Sequence, residues 1–196
     1  MPSFRYIYGN ITRQVYGGVR VRTLVGSVAA GLMIAAGLAP AFADQQADFC
    51  AETVSPQGML SAWTDQLGGR AAATPERLVD AGLETGRAVR LALSPTALVS
   101  YSAQPGKTAS DETFGGMATI EISTAGVYRV ALGGPAWVDV VRDGAVLPST
   151  AHGHGPDCTD IRKIVDFELS PGRYIVQIAA SEDDAIGIMV AGPGGQ

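Results

Sequence analysis

Residues 149–158, STAHGHGPDC, concentrate the chemistry-bearing side chains of this chain. They include both histidines, His152 and His154, and one of the two cysteines, Cys158. In an extended segment, residues i and i+2 point to the same side, so the two imidazoles can meet one ion. Asp157 and Asp160 follow closely. Either carboxylate would complete the two-histidine, one-carboxylate set that suits iron(II). Zinc in a catalytic site takes three protein ligands and keeps one position open. A free Cys158 thiolate would suit copper. The candidate metal ligands are therefore His152, His154, Asp157 and Asp160, and the candidate metals are iron, copper and zinc.

The competing reading needs no metal. Gly153, Gly155 and Pro156 make a turn with unusual backbone angles, in which glycine relieves the strain of positive φ. The histidines then sit on an outer loop, no cofactor is expected, and Ser149, Thr150, Arg162 and Lys163 belong to an exposed contact surface. Arg162 and Lys163 beside Asp160 and Asp166 read as a solvated, ion-paired face.

Other chemistries are poorly served. Ser149, the histidines and Asp157 make a Ser/His/Asp set by count alone, and no G-x-S-x-G elbow supports it. Gly106-Lys107-Thr108 looks like the tail of a phosphate loop, but Tyr101 stands where its first glycine belongs.

The setting is set by the two ends of the cysteine pair and by the leader. Four arginines and no acidic residue precede Asp44. An apolar run, residues 24–39, is followed by Pro40-Ala41-Phe42-Ala43. This reads as a Sec-type signal, residues 1–43, cleaved before Asp44, with a retained anchor as the alternative. All 19 acidic residues lie beyond it, and the whole chain carries a net charge of −5. Such a surface repels phosphate backbones, which excludes nucleic acid as a partner. No later stretch is long and apolar enough to span a membrane. Two cysteines in an exported chain favour a Cys50–Cys158 disulfide. The protein is expected in the periplasm or outside the cell.

Residues 44–86 are rich in Ala, Gln, Thr and Gly, with weak periodicity. A helical turn or two is expected within residues 57–66. A short helix is expected after Thr74-Pro75, with Thr74 as N-cap and Pro75 at the first helical position. This part reads as an extension anchored by Cys50 and Trp63. From residue 87 the chain reads as strands at 88–93, 97–101, 117–122, 127–132, 137–142, 163–169, 174–180 and 186–190. Asp143-Gly144 is a hairpin turn signal. About eight short strands with Gly and Pro punctuation argue an all-β, antiparallel sandwich, jelly-roll-like, over residues 87–196.

One internal similarity stands out. IEISTAGVYRVAL (120–132) and FELSPGRYIVQI (167–178) share a strand, a tight turn, Gly-x-Tyr and a second strand. Val165, Phe167 and Leu169 share one face, and Tyr174, Val176 and Ile178 form the matching inward face of what reads as a hairpin partner. Both tyrosines read as core or corner residues. Trp137 faces opposite to Val138 and Val140, where it caps a core or lies on a binding surface.

This unit resembles the pre-peptidase C-terminal type of exported bacterial β-sandwich, over roughly residues 88–190. The resemblance implies an accessory or binding module and brings no catalytic residues. The combination H-G-H-G-P-x-C followed by I-R-K-x-V-x-F-x-L-x-P-G-x-Y is similar to a group of small exported proteins of sphingomonad-type bacteria. Some of these are called homogentisate 1,2-dioxygenase. That name implies ring cleavage at an iron held by two histidines and a carboxylate. The favoured expectation is a non-catalytic module for an unknown small ligand or envelope protein, contacting it through loop 149–162 and the neighbouring loop 104–116. The alternative is a mononuclear metal protein, in its most specific form an iron-dependent dioxygenase.

Overall fold

Short apolar stretches between turn residues make the strands of residues 114–191. Lys163–Leu169 alternates between buried and more exposed side chains, whereas Trp137–Arg142 and Ala185–Ala191 are buried on both faces. A computed structural model describes residues 50, 52–107 and 109–193. The expected signal lies outside the described residues. The strands are β1 (Leu67–Arg70), β2 (Gly82–Leu83), β3 (Ala88–Ala92), β4 (Ser94–Pro95), β5 (Phe114–Ile122), β6 (Gly126–Leu132), β7 (Trp137–Arg142), β8 (Ala145–Val146), β9 (Ala151–Gly153), β10 (Lys163–Leu169), β11 (Gly172–Ser181) and β12 (Ala185–Ala191). They form two sheets. The first runs β1-β3-β12-β6-β10-β9; the second runs β2-β5-β11-β7-β8, with β4 also on β5. The inward rows of both sheets, such as Val130, Val165 and Phe167 from one and Ile120, Val138 and Val176 from the other, share one buried core. The chain is an all-β sandwich, antiparallel except where β1 meets β3 and β2 meets β5.

Residues 58–83 are woven into both layers. β1 extends one sheet and β2 extends the other. Two short 3-10 helices accompany them: Gly58–Thr64 before β1, and Pro75–Asp80 between β1 and β2, the second opening on Thr74 and Pro75. Thr74 takes the N-cap position without a side-chain capping bond. The first helix lays Leu60 and Trp63 against Ala131, Ile161 and Met189, which closes a smaller apolar cluster on the outside of the first sheet.

Residues 97–101 are not a strand. Thr96–Leu98 is a single 3-10 turn, and the chain beyond it crosses the outer face of the second sheet. Three cross-strand neighbours on that face, Met117, Gln177 and Asp139, catch it in turn. Met117 Sδ accepts from Ser102 N–H. Gln177, fully buried, exchanges two bonds with the Ala103 backbone at 3.0 and 3.1 Å. Asp139 accepts from Gly106 N–H at 3.0 Å. Polar side chains thus replace a strand ladder, which alternation cannot reveal.

The repeated unit is a pair of arches rather than a pair of hairpins. β5 and β6 lie in opposite sheets, as do β10 and β11. Instead, β6 pairs β10, with Tyr128 opposite Phe167, and β5 pairs β11, with Tyr174 opposite Ile120. The two copies therefore nest, each strand of one pairing with the other strand of its twin. At each corner a glycine takes positive φ, Gly126 at 157° and Gly172 at 147°. Each tyrosine hydroxyl then donates to the carbonyl four residues back: Tyr128 to Thr124 at 2.9 Å and Tyr174 to Ser170 at 2.8 Å. A tight two-residue hairpin joins β7 and β8, and its Asp143 and Gly144 both have positive φ.

Candidate functional site

Cys50 and Cys158 are disulfide-bonded, with a Cα–Cα distance of 5.1 Å. The bond points to an oxidising compartment, and it takes Cys158 out of the set of thiolate ligands. No helix among the described residues is long and apolar enough to cross a membrane.

His152 lies on β9, an edge strand opposite Val165 of β10, and His154 follows just beyond its end. Both are exposed. Asp157 and Asp160 line neither of the two depressions that His154 borders. Asp160 sits in a separate cleft with Trp63, Arg90 and Arg162, where it accepts a long bond from Thr53. Among the described residues, no three His, Cys, Asp or Glu side chains group closely enough to hold a metal ion. Neither imidazole has a hydrogen-bond partner among the described residues, and the Thr150 hydroxyl donates to the Asp166 carbonyl at 3.2 Å. That is no nucleophile–base arrangement.

Gly155 is needed in this loop for space rather than for handedness, and a Cβ on Gly153 would meet nothing. Gly153 and Gly155 do not have positive φ; Cys158 does, at 60°. A Cβ on Gly155 would run into the Ile161 carbonyl oxygen and side chain. Asp166 is also partnered differently from the sequence expectation. It holds Arg129, its cross-strand neighbour, through two 2.9 Å bonds. Arg162 and Lys163 form no ion pair with Asp160 or Asp166 among the described residues.

Lys163 points the other way. It begins β10 on the row of Val165 and Phe167 and reaches across the open edge of the sandwich. Its Nζ donates to the Ala136 carbonyl at 3.1 Å and lies 5.0 Å from the centre of the Trp137 ring. Burial and the nearby charge of Lys107 push its pKa down, and Asp139 partly opposes this. Trp137 is half-buried, with its indole N–H donating to Asp139 at 2.8 Å. Asp139 is 5% exposed, yet both carboxylate oxygens are used, one by Trp137 and one by Gly106. Nearby, burial and then the charge of Asp139 push the Tyr101 phenol up to about 12, while its hydroxyl donates to the Ile178 carbonyl at 3.0 Å.

Two depressions meet at Trp137 and Lys163. One, about 650 Å³, is bordered by Lys107, His152, His154, Arg162 and a single acid, Glu182. The other, about 340 Å³, is mostly apolar. It lies beside the start of β7, which pairs with β11 on one side and which β8 does not reach on the other. Its walls are Val138, Val165 and Phe167 on the core side and Leu147 and Pro148 on the outer side. Loops 104–116 and 149–162, expected as neighbours, do meet here through Lys107 and the histidines. Asp139 was not legible as part of the site, because a lone aspartate between valines carries no motif.

Replacing Asp139 with Ala is expected to cost about 1–3 kcal/mol, since the indole N–H and the Gly106 amide lose their acceptor. Urea unfolding measures the cost. Faster hydrogen exchange at Gly106 would show that the loop is released. Protection unchanged at Gly106 would show that Asp139 does not hold it.

No protein-family model matches this chain, and no curated protein matches it. Among solved structures, the chain is similar to the pre-peptidase C-terminal domain of a collagenase from Bacillus anthracis. The identity is 13% and the TM-score 0.31, over 64% of this chain and 95% of that one. It is also similar to part of a β-glucosidase from Paenibacillus barengoltzii, at 15% identity and a TM-score of 0.27, over 63% of this chain and 13% of that one.

Proposed function

We propose that this protein is a non-catalytic binding or accessory module, exported from the cytoplasm, which takes a small ligand or an envelope protein at the Trp137–Lys163 end of the sandwich. One observation carries the reading. Lys107, Trp137, His152 and Lys163 come from separate chain segments and converge on two adjoining depressions. Binding sites in folds of this kind are concave, largely apolar and fitted with a few convergent polar groups. A lysine with a perturbed pKa at the mouth is a second mark of such a site. The disulfide supports work outside the cytoplasm.

The test is an amide NMR screen of the disulfide-intact protein against a mixed set of saccharides, amino acids and organic acids. Shifts clustered at Trp137, His152 and Lys163 support the reading. No shift at that end with any probe would overturn it. Stoichiometric metal in untagged protein, lost in a His152→Ala/His154→Ala variant, would replace it with the metal reading.

A further inference from the structure

We propose that the slot between the sheet edges binds an apolar monocarboxylate, with its hydrocarbon body between Val138, Phe167 and Leu147 and its carboxylate on the Lys163 ammonium. The inference rests on the binding-module reading and names the chemistry of its ligand.

The body of the ligand follows from the walls. Val138, Val165 and Phe167 are buried core residues, and Leu147 and Pro148 close the opposite side. Residues 147–150 form a strap between the sheets that is pinned at both ends. Leu147 N–H donates to Val140 at 2.8 Å and Thr150 N–H to Asp166 at 2.8 Å. The slot is therefore preformed, which spares a ligand the cost of ordering it. An oligosaccharide would need polar partners along its length, and the lining is mostly apolar, with Ser149, His152 and Asp139 as its polar side chains beside Lys163.

The head follows from the mouth. An ammonium has three donors, and only one bond of Lys163 is accounted for, that to Ala136. Lys163 has no carboxylate ion pair among the described residues, and the Asp139 oxygens already accept from Trp137 and Gly106. Lys107, Arg162 and His152 add cationic or donor groups around the same opening, against one Glu182. That local surplus stands in a chain with a net charge of −5. A single anionic group on an apolar stem satisfies both halves. Its negative charge also opposes the repulsion between Lys107 and Lys163.

The experiment titrates the full, disulfide-intact protein with octanoate, octanol, octylammonium and acetate, following methyl NMR signals of Val138, Val165 and Leu147. Octanoate is expected to shift these methyls. Octanol and acetate should bind weaker by about tenfold or more, as the loss of a charge-assisted bond or of apolar burial implies. Octylammonium should not bind. Lys163→Met should weaken octanoate by a similar factor and leave octanol unchanged, with Lys163→Arg recovering part of the loss. Lys107→Met, a change at an exposed position, keeps the test informative if Lys163 variants misfold; it should weaken octanoate and not octanol. Octanoate binding no better than octanol, with both lysine variants indifferent, would overturn the carboxylate assignment. If octanoate leaves the slot methyls unmoved while another probe shifts Trp137 and His152, this inference falls and the binding-module reading stands.

Discussion

Removing the disulfide, as Cys50→Ala with Cys158→Ala, is expected to cost about 2–5 kcal/mol. The two cysteines are 108 residues apart in sequence. Closing a loop of that length restricts the unfolded chain by about 4–5 kcal/mol in the chain-entropy account. In the folded chain the bond works with local contacts. Val54 N–H donates to the Cys158 carbonyl at 2.7 Å, and Trp63, 2% exposed, seals the cluster with Ile161. Without the bond, residues 52–66 keep only non-covalent contacts, these among them, together with the packing of Leu60 and the Thr53–Asp160 bond. The measurement is a urea titration of the oxidised protein and of the double variant. The midpoint should fall, and Trp63 fluorescence should change ahead of the main transition. Coincident midpoints would mean that the cross-link does not constrain the unfolded chain.

The tyrosine corners carry the second large effect. Tyr128→Ala and Tyr174→Ala should each cost about 3–5 kcal/mol, the usual penalty for emptying a buried aromatic site. Tyr→Phe variants separate the hydroxyl from the ring. Tyr128 makes one recorded bond, to Thr124. The Tyr174 oxygen also accepts from Arg142 at 2.9 Å and from Ser170 N–H at 3.1 Å. Tyr174→Phe should therefore cost more than Tyr128→Phe, within a range of about 1–3 kcal/mol. Equal costs in the two Phe variants, by thermal and urea unfolding, would show that the Arg142 bond adds nothing. The ring positions are fixed from outside as well: a Cβ on Gly192 would collide with the Tyr128 ring.

Much of the architecture was readable without coordinates. Apolar stretches of strand length between turn residues placed β3, β5, β6, β7, β10, β11 and β12, and alternation marked β10, the half-buried one, most clearly. Asp143-Gly144 marked its hairpin, because two successive positive-φ residues suit that turn. Cys50 and Cys158 were the pair available to bond. Short strands such as β1, β2 and β9 were not readable, because two to four residues are too few to show a period. Residues 97–101 looked like a strand, and only their capture by Met117, Gln177 and Asp139 made them a bound loop.

The division has one physical cause. Alternation, turn chemistry and cysteine pairing are local or countable, so the order of residues alone names the sandwich, its corners and its cross-link. Which strands pair depends on how layers close over a shared core. That step turned two apparent hairpins into nested arches. It also carried Lys163 away from Asp160 and Asp166 to Trp137, since a side chain's partner across a sheet edge is fixed by packing, and no spacing along the chain encodes it.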